Sequence, residues 1–117
     1  MTSYAVISQM REAEAAPYAW IIDIDHTEEP TSEHNEMGTT GPSWATDEQV
    51  ARLANDMSLG RRFRMLDDRG EVYYSGRLID ERDEKEVEWF GPLDDFGHPN
   101  AGAVTIEYQE NGEWVKV

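Results

Sequence analysis

The chain has 117 residues, 25 Asp and Glu against 10 Lys and Arg, a net charge of −15 and no cysteine. Disulfides, thiolate metal sites and cysteine nucleophiles are thereby excluded. The acid excess works against direct binding to a nucleic-acid backbone or an anionic membrane surface. It favours a basic protein as partner.

The length suits one domain able to bury roughly two-thirds of its unfolded surface. Four Trp, five Tyr and three Phe can furnish one core. No apolar run approaches the ~20 residues of a membrane span. The start, Met1 to Ile7, lacks the basic region and long apolar stretch of a signal peptide, so the cytoplasm is the expected compartment.

Taken in chain order, residues 4–16 are rich in Ala and Glu but poorly periodic, which fits a frayed helix or a loose arm equally well. Tyr18 to Asp25, preceded by Pro17, is aromatic and β-branched and predicts a strand. Its alternation places Trp20, Ile22 and Ile24 on an apolar face and Ile21, Asp23 and Asp25 on a face that turns acidic. Residues 26–45, with Pro30, Gly38, Gly41 and Pro42, read as a long loop.

Thr46-Asp-Glu-Gln49 is a capping box, and Val50, Leu53, Ala54 and Met57 follow as one apolar stripe. A helix over 47–58 results, with Gly60 as its left-handed stop. Residues 61–66 and 71–79 predict a hairpin joined by Asp67-Asp-Arg-Gly70. Residues 86–90 predict a third strand across the turn 80–85. Residues 103–108 and 113–117 form a last hairpin across Asn111-Gly112, a strong turn signal. The expected fold is α+β, an antiparallel sheet of about five or six strands with one packed helix, in a single domain over 1–117.

The stretch Gly91-Pro-Leu-Asp-Asp-Phe-Gly-His-Pro-Asn-Ala-Gly102 combines glycines, prolines, paired carboxylates and a histidine. It reads either as a binding loop on a rigid sheet or as an Ω-like loop whose Asp side chains cap amides while Phe96 plugs the core. Asp23, Asp25, His26, His34, Asp94, Asp95 and His98 are ligand types suited to Mg²⁺, Mn²⁺ or Zn²⁺, but their spacing matches no metal motif. Ser43 or Ser75 with His26 or His98 supplies the letters of a nucleophilic set without a nucleophile elbow. There is no phosphate loop and no dinucleotide fingerprint, so no cofactor and no catalytic residue is assigned.

Charge is segregated along the chain. Residues 23–36 hold Asp23, Asp25, Glu28, Glu29, Glu33 and Glu36 with no Lys or Arg. Residues 80–95 hold eight acids against Arg82 and Lys85, whereas Arg61, Arg62, Arg64 and Arg69 gather around one hairpin. Like charges crowded on one surface repel, and tolerating that repulsion points to a use.

Asp25-His26, Gly41-Pro42, Phe63-Arg64, the run from Asp67-Asp68 through Tyr73-Tyr74 to Gly76, and above all Pro92-Leu-Asp-Asp-Phe-Gly followed by Pro99-Asn-Ala-Gly102 carry a resemblance. Over residues 18–117 the chain resembles a group of small proteins found on phages, plasmids and chromosomes of high-GC Gram-positive bacteria. No activity comes with that resemblance, so it implies no catalytic residue. It implies a mobile-element setting.

The functional expectation is a non-enzymatic acidic protein that docks a basic protein surface, with a DNA-binding protein as partner and DNA mimicry as its sharpest form. The candidate binding residues are Asp23, Asp25, Glu28, Glu29, Glu33, Glu36, Asp94 and Asp95. The alternative is a small enzyme or metal-dependent binder using the 91–102 loop, which requires Asp25, His26, Asp94 and His98 to converge.

Overall fold

The computed structural model describes residues 16–27 and 36–117. The helix or arm expected over 4–16 lies outside them except for Ala16, which is buried with its carbonyl accepting from Gln49 Nε2 at 3.1 Å. Strand β1, Tyr18–Asp25, sits second in a six-stranded sheet. The other strands are β2 Glu36–Gly41, β3 Arg61–Leu66, β4 Val72–Asp80, β5 Thr105–Glu110 and β6 Glu113–Lys116. Every neighbouring pair in the order β2-β1-β4-β3-β5-β6 is antiparallel. The fold is thus the expected α+β arrangement, and the two predicted hairpins share one sheet through the β3–β5 pairing.

Three expectations are corrected. Residues 36–41 are an edge strand and not loop: they read as loop because Gly38, Thr39, Thr40 and Gly41 bury no alternating apolar face. Residues 86–90 are turns and not a strand. β4 already has β1 and β3 on its two sides, so the chain leaving β4 finds no free edge there and folds across the sheet face instead. The stretch 91–102 is helical: a π-helical turn, Leu93–Gly97, runs into the short α-helix His98–Ala101, and Gly102 ends it at φ 74°.

The larger core lies between that segment and one face of the sheet. It joins Tyr18, Trp20 and Ile22 with Phe63, Met65, Leu78, Ile106 and Tyr108, capped by Val87, Leu93 and Ala103. Phe96, expected to be buried, is half-buried, its ring packed against Trp20 at 5.6 Å and Tyr74 at 4.9 Å. Gly76 lies in mid-strand for a reason of space: a Cβ there would meet the Ile21 carbonyl oxygen and the Phe63 ring.

The opposite face carries helix α1, Asp47–Asn55. Its capping box forms as read, with Thr46 Oγ1 accepting from the Gln49 amide at 3.1 Å and Gln49 Oε1 from the Thr46 amide at 2.8 Å. The helix is shorter than expected because Asp56 leaves the helical path; Gly60, at φ 98°, instead opens β3. Of the predicted stripe, Leu53 is buried against Ala19 and Ile21, Val50 is half-buried, and Ala54 and Met57 are exposed.

A bulge in β1 shapes this face. Ile22 pairs with Gly76 and Ile24 with Ser75, so Asp23 is an extra residue that breaks the simple alternation. Asp23, on the same face as Ile21, meets Arg77 beside α1, and past the bulge Asp25 comes level with Tyr74. Among the described residues no helix is long and apolar enough to cross a membrane.

Candidate functional site

The acidic stretch after β4 is built around a covered carboxylate. Asp80, whose side chain is wholly shielded, accepts from Arg82 Nε at 2.9 Å, Arg82 Nη2 at 2.7 Å and the Glu88 amide at 2.9 Å. Burial alone would push its carboxyl up, but the bonds from Arg82 and the two amides outweigh burial and hold it below the usual range. This clamp closes residues 80–88 into a loop.

Apolar side chains fix the loop to the sheet. Val87 is buried, and the Trp89 ring stands edge-on to Tyr108 at 5.0 Å beneath the Arg61 guanidinium at 4.8 Å. The Tyr108 hydroxyl donates to the Trp89 carbonyl at 2.7 Å, and burial pushes its pKa up. With Val87 and Trp89 facing inward, Glu81, Asp83, Glu84, Glu86 and Glu88 are left exposed.

The π-helical turn then brings Asp94 and Asp95 alongside. Asp95 does not cap local amides. It accepts from the Tyr18 hydroxyl at 2.8 Å and from Trp20 Nε1 at 3.0 Å, tying the turn to β1. Burial, the bond to Asp95 and the nearby charges of Glu88 and Asp94 all raise the Tyr18 pKa, so the phenol stays a donor. Glu88, Asp94 and Asp95 therefore gather around one tyrosine.

The first acidic cluster is put to different use. Asp23 gives both oxygens to Arg77, at 2.9 and 3.0 Å, on the sheet face that carries α1. Asp25 accepts from the Thr27 amide at 2.8 Å. Glu28, Glu29 and Glu33 lie outside the described residues, as does His34, and Glu36 is placed by its backbone opposite Ile24.

Of the residues needed by the enzyme or metal reading, His26 lies in a hollow that Asn100 and Ala101 of the 91–102 segment also line. His26 Nε2 shares a hydrogen bond with Ser75 Oγ at 2.9 Å. Burial lowers the His26 pKa against the opposing pull of Asp25. His98 donates from Nδ1 to the Ala103 carbonyl at 3.2 Å. Among the described residues no three His, Cys, Asp or Glu side chains gather as a metal ion would require.

Sequence reasoning missed the Asp80–Arg82 clamp and the bond from Asp95 to β1. The first left a trace in the Asp-x-Arg spacing; the second joins residues 77 positions apart and left none.

Asp95→Ala should cost about 1–3 kcal/mol, since it strips the acceptor from two aromatic donors. Asp94→Ala, exposed and without such partners among the described residues, should stay within about 0.5 kcal/mol of the parent. Urea unfolding followed by tryptophan fluorescence reads both; equal midpoints for the two variants would contradict the assignment. Compared with models of known families, with curated proteins and with solved structures, the chain matches none.

Proposed function

We propose that this is a non-enzymatic, cytoplasmic acidic binding protein that docks a basic protein surface through the carboxylates of 83–94. One observation carries the reading. The side-chain carboxylates of Asp83, Glu84, Glu86, Glu88 and Asp94 are exposed and, among the described residues, form no hydrogen bond or ion pair, while Arg82 is clamped by Asp80, Arg52 pairs with Glu81 and Lys85 pairs with none of them. Among the described residues Arg82 and Lys85 offset this local repulsion only in part, since five free carboxylates outnumber them, and a basic partner would relieve the rest.

The binding set accordingly shifts. Asp23 and Asp95 have structural duties, so the weight moves from them to the exposed acids of the clamped loop, with Asp94 retained. The resemblance to mobile-element proteins favours a host protein as partner, by association only. A DNA-binding protein is the sharper version, and DNA mimicry would require the partner to exchange this chain for duplex DNA.

Capture from bacterial lysate tests the reading with the full chain and a variant carrying Asp83→Asn, Glu84→Gln, Glu86→Gln, Glu88→Gln and Asp94→Asn. The expected result is a basic protein retained by the parent at low salt, released at high salt and lost by the variant. The variant should stay within about 0.5 kcal/mol of the parent, since it removes mutual repulsion together with the weaker attraction of Glu86 and Glu88 to Arg82. Equal retention by both proteins would overturn the proposal.

A further inference from the structure

Helix α1 covers only part of its sheet face. Beside it lies an open groove of about 730 Å³, with Ile21, Ile24, Met37, Met57 and Trp114 among its lining. Its size falls within the range of roughly 300–1,000 Å³ typical of small-molecule sites, as does its pattern of apolar walls with a few polar groups. Ser75 and Gln109 supply neutral polar atoms, and the charged lining residues are Asp23 and Arg62.

These two charges are not equivalent. Both Asp23 oxygens are engaged by Arg77. Arg62 stands directly across from Arg77 in the β3–β4 register, so two guanidinium groups share one sheet face, and the Asp23 carboxylate, on the far side of β4, belongs to Arg77. Like charges directly opposite each other destabilise a strand pair. The next arginine on that face, Arg64, is satisfied by Glu107 at 2.6 Å and lies over Trp114 at 4.5 Å. Glu84 and Glu110 share a neighbouring hollow with Arg62, but neither forms an ion pair with it. Among the described residues Arg62 has no carboxylate partner. Among the described residues, a chain of net charge −15 thus presents a cation without an ion pair at the wall of an apolar groove.

We propose that this groove binds a small organic anion, with its apolar body against Ile21, Ile24 and Met57 and its carboxylate or sulfonate on Arg62. None of the five carboxylates of the acidic loop lines this groove, so either proposal can fail without the other.

Two dyes that differ by one charged group test it on the full chain. 8-Anilinonaphthalene-1-sulfonate and its uncharged counterpart N-phenyl-1-naphthylamine are titrated while dye fluorescence is followed. The sulfonate should bind at one site and more tightly than the neutral dye. Arg62→Gln should weaken the sulfonate by about tenfold or more, the scale of one hydrogen bond to a charged group, and leave the neutral dye unchanged. Arg62→Lys, which keeps the charge, should retain most of the sulfonate affinity, and Met57→Gln should weaken both dyes. Equal loss of both dyes in Arg62→Gln, an unchanged sulfonate affinity, or no binding of either dye would overturn the proposal. So would a dimer of the dye-free chain that Arg62→Gln dissociates, since the groove would then belong to a second copy.

Discussion

Arg77→Met is expected to destabilise the fold by about 3–5 kcal/mol, the cost of breaking a buried charge network from one side. Arg77 is 1% exposed, and its guanidinium is almost fully used. Nε and Nη2 hold the Asp23 carboxylate, Nη2 also donates to the Leu53 carbonyl at 3.0 Å, and Nη1 donates to the Leu59 carbonyl at 3.1 Å and to that of Asp56. These carbonyls lie at or just beyond the C-terminal end of α1, where backbone acceptors lack helical donors and a cation is favoured by the helix dipole. One side chain therefore pins the β1 bulge, the helix end and β4 together. Methionine keeps most of the volume but leaves Asp23 unpaired and the carbonyls unsatisfied. Adding Asp23→Leu should recover part of the loss, because the orphaned charge is gone, but not all, because the carbonyls still lack a donor. Urea unfolding by circular dichroism reads the cycle. A loss below about 1 kcal/mol for Arg77→Met would mean that the network is no more than a surface ion pair.

Leu53→Ala should cost about 2–5 kcal/mol, as for other fully buried leucines. Leu53 is the one fully buried side chain of α1, closing on Ala19 and Ile21 with Ala45 and Ile79 at the margin. Because the helix rests on so few apolar contacts, its removal should loosen α1 as a unit. Met57→Ala, at a position 63% exposed, should by contrast stay within about 1 kcal/mol. The same urea series separates them, and comparable losses would show that the whole predicted stripe faces the core.

The difference between those two positions shows what the sequence made legible. The capping box located α1, and Asn111-Gly112, with φ of 53° and 82°, located the last hairpin, because both signals are local. Met57 was misplaced because the stripe was extended by periodicity past the point where Asp56 ends the helix. β2 escaped notice because an edge strand is defined by its pairing with β1 and not by an apolar face. The 93–101 helical segment escaped because Gly97 and Pro99 argue against helix; yet Pro99 follows the π-helical turn only two residues before the segment's end, and at Gly97 a Cβ would lie 2.5 Å from the Met65 sulfur.

The candidate site was legible as composition and not as geometry. Twenty-five acids announce a negative surface, but which of them are free is decided by distant partners. Asp23 reads as surface acid until Arg77 is found across the strand pair, and an Asp in the interior of β1 facing the one Arg of β4 was the available clue.

The central claim is that the exposed acids of 83–94 attract a basic partner over distance. It is tested most directly by association rates of the captured partner with the parent and with the five-residue amide variant, across a salt series. Screening shortens from about 10 Å at 0.1 M to about 3 Å at 1 M. The parent should associate faster at low salt and slow steeply as salt rises, while the variant should be slower and nearly flat, the two converging near 1 M. Parallel curves for the two proteins, or a flat curve for the parent, would contradict the claim.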